Sequence, residues 1–337
     1  MQACYIERYG KADVVRVGEL PAPEPGPGEL LFRMEAASVN PVDFKICNGM
    51  LRALQSYRMP AILGNDAAGV VTALGPGVQG FSVGDRVAAR LDKARMGAFA
   101  EFVVARPQHL AMIPEGVGYA PAAAVALAGL TAWQCLTEVL RIAAGERVLI
   151  HAGGGGVGHL AIQLAKGLGA HVTTTASAAS HDWLRELGAD VCVDYRHADF
   201  RHECAPFDAV LDAMGGETLL RSIVHTRRGG RVVSIGDLPT PEVAAEFGKP
   251  WLAPVFWLLS RKPRALARRQ GVAYRYWFMR EDGAQLAMLL DRLARGELQV
   301  RIEREFALAQ APEALQLIEA GRVRGKLVIR PTLAGTS

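Results

Sequence analysis

A short apolar run that breaks into a cluster of glycines and resumes as an amphipathic helix admits few folds. This chain carries one, RVLIHAGGGGVGHLAIQLAKGLGA, beginning at Arg147. The stretch from Arg147 to Ala152 has the length and branching of a buried strand, and from Gly158 onward the apolar residues recur at helical spacing. Glycines at such a junction permit positive φ and close approach of the backbone to a pyrophosphate. That group would rest over the free amides and the positive dipole end of the following helix. The spacing is Ala152-x-x-Gly155-x-x-Gly158 in place of GxGxxG, but strand, turn and helix follow in the order that dinucleotide binding requires. Gly155, Gly156, Val157 and Gly158 are therefore the candidate pyrophosphate cradle, with a merely structural glycine turn as the competing reading.

Texture differs on the two sides of this motif. Up to about residue 118 the chain holds short β-type runs, LLFRMEAASV, GVVTAL, DRVAARL and AEFVVA, punctuated by Gly and Pro, which predicts a mostly antiparallel β-domain. From 119 to 278 strand-like and helix-like segments alternate through HVTTTAS, HDWLRELG, VCVDY, FDAVLDAM, ETLLRSIV and RVVSIG, the signature of βαβ units on a parallel sheet. From 279 to 337, DGAQLAMLLDRLARG and FALAQAPEALQLIEAG lead to a last strand, KLVIR, expected to return to the first domain. The predicted class is α/β: an antiparallel β-domain built from 1–118 and 279–337, with a doubly wound Rossmann domain inserted between. A length of 337 residues suits two cores better than one.

Composition removes several functions. A net charge of +4 with dispersed arginines gives no continuous basic stripe, so nucleic acid is not expected as a partner. Five cysteines, Cys4, Cys47, Cys135, Cys192 and Cys204, contain no CxxC pair and are odd in number, which fits reduced thiols and a cytoplasmic location. The first ten residues, MQACYIERYG, lack the apolar region of an export signal, and no membrane span is read from the sequence.

The choice between nicotinamide cofactors falls at the end of the second Rossmann strand, where an acid would hold the ribose 2′-hydroxyl. Here the strand HVTTTASAAS ends in Thr175, Ala176 and Ser177 with no acid, so NADPH is expected ahead of NADH. No Arg or Lys lies between Lys166 and Arg185, which leaves His181, Arg196 or a more distant group to balance a 2′-phosphate. A neutral strand end with no preference is the alternative.

Several further stretches carry a family resemblance over nearly the whole chain. They are Ala37-Ser38-Val39-Asn40-Pro41-Val42-Asp43-Phe44-Lys45, ILGNDAAGVVTALGPGVQGFSVGDRV, AGLTAWQCL, the AGGGGVG turn, LGADVCVDY and Gly325-Lys326. Together they resemble the quinone oxidoreductase and enone reductase branch of the medium-chain dehydrogenase/reductases, most nearly the plant-type enone oxidoreductases and chloroplast-envelope quinone oxidoreductase homologues. The resemblance implies a GroES-like β-domain, reduction of an activated C=C bond or a quinone, and a cofactor held by Asn40, Thr131, Gly155 to Gly158, Ser177, Tyr195, Gly236 and Lys326. Each residue also has a plainer role open to it: a turn at Asn40-Pro41, a helix cap at Thr131, strand packing at Tyr195.

Zinc-dependent members of this superfamily carry a catalytic Cys, a Gly-His-Glu segment and a four-cysteine loop. Here Gly64-Asn65-Asp66 stands in the second place and LDKARMGAFA holds no cysteine, so no zinc site is expected; Cys47 reads as a packed thiol. Hydride addition to an enone needs only positioning and a donor for the developing enolate oxygen. Lys45 is the leading candidate for that donor, against a solvated surface lysine, and Tyr57 is a second candidate; Asn40 is grouped with them.

The segment 249–278 contains WLAPVFWLLSRKPRALARRQ, an apolar-aromatic run followed by a basic one. A lid over substrate or a subunit interface is the expected role, ahead of contact with a membrane surface. VAYRYWFM alternates like an edge strand able to extend a sheet across a homodimer. Three functions stay open: an NADPH-dependent enone or alkenal reductase, a quinone reductase on the same scaffold, and a non-catalytic NADPH-binding sensor.

Overall fold

The computed structural model describes residues 1–331, which form two compact units: Met1–Leu130 with the chain from Arg280 onward, and Thr131–Met279. The first unit begins with strands β1 (Gln2–Ile6), β2 (Val15–Glu19), β3 (Leu30–Val39), β4 (Ala61–Ile62) and β5 (Asp66–Leu74). It continues with β6 (Arg86–Arg90), β7 (Phe102–Ala105) and β8 (Leu110–Met112). The second unit contributes β9 (Arg147–Ile150), β10 (His171–Ala176), β11 (Val191–Asp194), β12 (Phe207–Asp212), β13 (Thr226–Ser234) and β14 (Ala273–Tyr276). The returning chain adds β15 (Ile302–Ala307) and β16 (Lys326–Arg330) to the first unit.

In the first unit a three-stranded sheet has the order β2-β1-β4, and a larger sheet runs β15-β16-β3-β5-β6-β8 with β7 also paired to β3. Pairing is antiparallel apart from β15 with β16. The long strand β3 organises this sheet because Leu30, Phe32 and Met34 alternate inward and Ala36 to Val39 are then buried on both faces. KLVIR pairs antiparallel with the end of β3, Leu327 opposite Val39, so the last strand closes onto the first domain. Phe32, Phe99, Leu63, Val71, Val87, Phe306 and Ile329 lie in the apolar core between these strands. Crossing there is tight: a Cβ on Gly69 of β5 would lie 1.9 Å from the Arg33 carbonyl oxygen of β3.

The first domain boundary lies later than the sequence reading set it. Helix Tyr119–Gln134 belongs mostly to the first unit, because the Leu127 amide at its middle donates to Asp66 Oδ2 of β5 at 3.0 Å. With its continuation to Val139 this helix is long and apolar enough to cross a membrane by composition. Its window is 72% buried within the chain, which marks a core helix.

The second unit is one six-stranded sheet of order β11-β10-β9-β12-β13-β14, parallel throughout. Strand order reverses between β9 and β12, the switch point outside whose carboxyl ends ligands of such sheets bind. Helices Gly158–Gly167, Gly216–His225 and Arg261–Gln270 accompany the strands, and Leu149, Phe207, Val210, Leu219, Ile223, Val232 and Ala267 share one core. β14 is the sheet edge, as its alternating sequence suggested.

Because the Gly69 contact is with backbone rather than a yielding side chain, Gly69→Ala is expected to destabilise the first unit by about 1–3 kcal/mol. A denaturation midpoint equal to wild type would contradict this packing.

Candidate cofactor and active site

The glycine turn follows β9 at the switch point, and helix Gly158–Gly167 starts directly after it. The one positive φ of the turn falls on Ala152, at 53°, and not on the glycines as expected. The glycines are needed for closeness. A Cβ on Gly153 would meet Thr174 Oγ1 at 2.1 Å, and one on Gly158 would meet the Ala152 carbonyl oxygen at 2.2 Å. Stripped of side chains, the turn brings strand and helix together at the start of helix Gly158–Gly167, a junction that fits a pyrophosphate.

A directed chain of hydrogen bonds pins this turn from beneath. Ser222 Oγ donates to the Thr218 carbonyl at 2.8 Å, so it accepts from His151 Nε2 at 2.7 Å; His151 Nδ1 then accepts from Thr175 Oγ1 at 2.9 Å. Thr175 Oγ1 in turn receives the Ala152 amide. That assignment makes His151 a neutral tautomer, and burial alone lowers its pKa to about 4. Thr175 was expected to offer its hydroxyl to a 2′-phosphate. It is buried and commits that hydroxyl to His151, so it is not available for that role.

Register positions the residues that follow it. Ala176 of β10 is level with Asp194 of β11, so Ser177 and Tyr195 leave the sheet side by side. Tyr195 is 61% exposed and Arg196 is exposed, its guanidinium 5.7 Å from the Tyr195 ring centroid. Ser177 is half-buried, and His181 lies close behind with Nε2 3.3 Å from the Ala176 carbonyl oxygen. Gly236 follows β13, where a Cβ would sit 2.4 Å from the Ala213 carbonyl oxygen; it lets the loops after β12 and β13 touch. Thr131 is buried inside helix Tyr119–Gln134, too deep in the helix to be a cap.

The first unit holds a second concentration of polar chemistry, fully out of water. Asn40 Nδ2 donates to Asp66 Oδ1 at 2.8 Å and to the Ser38 carbonyl at 3.1 Å, while its Oδ1 accepts from Lys326 Nζ. Asp43 receives the Asn40 amide at 2.7 Å and Asn65 Nδ2 at 2.6 Å. Arg90, 2% exposed, donates to the Leu91 and Asn65 carbonyls and pairs with Glu281 at 3.9 Å. Burial, reinforced by the Asp66 charge, pushes the Asp43 carboxyl up to about 7 against the pull of its hydrogen bonds. Burial also raises Asp66 and lowers Lys326, while their mutual attraction opposes both shifts.

Comparison with known proteins places this architecture. Residues 26–115 match the alcohol dehydrogenase GroES-like domain, and 187–329 match the zinc-binding dehydrogenase family. The chloroplast envelope quinone oxidoreductase homolog of Arabidopsis thaliana is 31% identical over 93% of each chain. A mitochondrial NAD(P)H oxidoreductase of Danio rerio is 31% identical over 98% of this chain and 91% of its own. The solved quinone oxidoreductase from Coxiella burnetii superposes with a TM-score of 0.87 at 33% identity, over 98% of this chain and 99% of its own. The chain belongs to the medium-chain dehydrogenase/reductases, in their quinone oxidoreductase branch. It is an NAD(P)H-dependent oxidoreductase.

Within this quinone oxidoreductase homologue, the residues expected around the reaction separate into two groups. Asn40 and Lys326, expected at the cofactor, are 1% and 2% exposed and spend their polar atoms on each other, Asp66 and backbone carbonyls. Those polar atoms are therefore already satisfied inside the first unit. The Tyr57 hydroxyl donates to the Lys93 carbonyl at 2.7 Å and burial raises its pKa, so its proton is already committed. Lys45 lies in the last turn of helix Pro41–Cys47; it is half-buried, burial lowers its pKa, and among the described residues its ammonium meets no hydrogen-bond or ion-pair partner. Cys47 is buried, its thiol 3.4 Å from the Gly10 carbonyl and pushed up to about 11 by burial. Among the described residues no group of three or more His, Cys, Asp and Glu converges as a metal site. Sequence reading passed over Asp43, Asn65 and Asp66 as ligands of anything. An acid three residues after Asn40 at a helix start was a visible capping signal for Asp43, whereas nothing local marked Asp66.

His151 generates a pH dependence. The folded chain keeps its imidazole neutral to about pH 4 while the unfolded chain protonates near 6.5. Its contribution, on the order of 3 kcal/mol, is therefore complete above pH 6.5 and drains away as pH falls toward 4. Urea midpoints measured across this range should fall more steeply for wild type than for His151→Gln, and parallel curves would remove the assignment.

Proposed function

We propose that this protein is an NADPH-dependent reductase that adds hydride to the C=C bond of an α,β-unsaturated carbonyl, an enone or alkenal, without zinc. The observation that carries the reading is the commitment of Asn65 and Asp66, at the Gly-His-Glu position of zinc-dependent relatives, to Asp43, Asn40 and the Leu127 amide. With those atoms spent inside the fold, no donor set suited to zinc is left there, and a metal-free hydride addition suits the residues that are present. The nicotinamide, when bound, supplies the hydride.

The chain's own residues supply the rest. The glycine turn holds the pyrophosphate. Ser177, Tyr195 and Arg196 offer two hydroxyls and a guanidinium to the adenosine 2′-phosphate, and the missing acid after β10 removes the repulsion that would favour NADH. Lys45 holds the developing negative charge on the substrate's carbonyl oxygen. Its lowered pKa, caused by burial, favours passing its proton to the enolate oxygen; the enol then gains a proton at its α-carbon from water and returns one from oxygen, giving the saturated carbonyl. Burial keeps the Asn40–Asp66–Lys326 set rigid, which fixes helix Pro41–Cys47 and so the base of Lys45.

A second reading, reduction of a quinone by the same cofactor, is favoured by the names of the relatives and needs the same cofactor residues. A homodimer joined at the open edge of β14 completes the proposal; a monomer in sedimentation velocity would remove that part.

Product analysis with NADPH and with NADH separates the readings. A saturated carbonyl product from a short enone is expected, with Lys45→Ala lowering kcat on the order of 100-fold and leaving the KM for NADPH unchanged. Turnover of an ortho-quinone alone would select the second reading, and tight cofactor binding with no turnover would select a sensor. On the cofactor side, Arg196→Ser is expected to raise the KM for NADPH about tenfold while leaving NADH unaffected, the loss of one charge-assisted phosphate contact.

A further inference from the structure

The segment from Phe247 to Met279 carries seven Lys and Arg residues and no Asp or Glu, although the whole chain nets only +4. The rest of the protein is therefore net negative, and the positive charge is concentrated in one stretch of the second unit. Its two successive helices divide the labour. Helix Ala253–Leu259 turns Phe256 inward and leaves Val255, Trp257, Leu258 and Leu259 at 50%, 55%, 54% and 47% exposure, with Trp251 just before it at 67%. Ser260 ends that helix and begins Arg261–Gln270, whose Pro263 and Ala267 face the core. Its Arg261, Lys262, Arg268 and Arg269 are exposed.

Elsewhere a number of arginines pair with acids, as in Arg33–Glu35, Arg95–Glu29, Arg185–Asp182 and Arg304–Glu313. Among the described residues none of the five basic side chains of helix Arg261–Gln270 has an ion-pair partner. Two indoles and three aliphatic side chains facing water, continuous with an uncompensated cationic helix, is an expensive surface to leave bare. It matches an interface that is apolar at depth and anionic at its rim. We propose that this face adsorbs to the surface of an anionic phospholipid bilayer, with Trp251, Trp257, Leu258 and Leu259 entering the acyl boundary and the basic helix lying along the headgroup phosphates. It is a different reading from the lid or subunit contact expected from the sequence. A second copy meeting the same face about a two-fold axis would set cationic helix near cationic helix, which disfavours a dimer through this patch.

Flotation of the full chain with vesicles tests it, using phosphatidylcholine alone and a mixture with phosphatidylglycerol. The mixed vesicles are expected to capture the protein at least about tenfold better, and raised salt should remove most of that gain. The triple variant Arg261→Glu, Lys262→Glu, Arg268→Glu should lose the preference. Trp251→Ser with Trp257→Ser should lower capture further, with the thermal unfolding midpoint of each variant held at the wild-type value as the check on folding. Equal capture by both vesicles, capture by neither, or a dimer that the tryptophan pair variant converts to monomer in sedimentation velocity would each overturn the proposal; the last assigns the face to a second copy.

Discussion

An ammonium withdrawn entirely from water must find both a counter-charge and hydrogen-bond acceptors, and in this chain that requirement knots distant parts of the sequence together. Lys326 opens the last strand, and its Nζ is held by the Asn40 side chain and the Val39 carbonyl, 286 and 287 residues away. Asn40 is bound to Asp66 at the start of β5, and Asp66 takes the Leu127 amide from helix Tyr119–Gln134. One buried cluster thereby fixes the end of β3, the start of β5, the returning strand β16 and a helix. Removing any member strands the charge of another, which is why such a set holds geometry even where its net contribution to stability is modest.

The nucleotide unit answers a different constraint. There the difficulty is steric, since strand β9 and helix Gly158–Gly167 approach so closely that side chains at Gly153 and Gly158 would collide with Thr174 and with the Ala152 carbonyl. The neutral His151, reaching Thr175 on one side and Ser222 on the other, supports the turn without adding charge beneath a site meant for phosphates. A cation at that depth would have needed a counter-ion.

A third constraint falls on the basic and aromatic stretch between β13 and β14. Phe256, Pro263 and Ala267 turn inward and help join it to the body of the second unit, while its indoles and, among the described residues, the unpaired guanidiniums of helix Arg261–Gln270 face outward.

By itself the sequence determined what is local or periodic: alternating apolar residues for β3, helical spacing after the glycines, the strand-turn-helix order, and the return of KLVIR to the first domain. It also carried the family, through runs of neighbouring residues that can be compared one after another. Only the tertiary structure decided which polar groups are available for chemistry. Asn40, Lys326, Thr175 and Tyr57 looked free, yet each is satisfied by a partner far along the chain: Lys326, Asn40, His151 and Lys93. A hydrogen bond across 24 or 286 residues leaves no periodicity or spacing to read, since its distance is set by how strands and helices pack. Lys45 shows the converse, as its half-burial without a partner among the described residues depends equally on what the fold fails to bring near it.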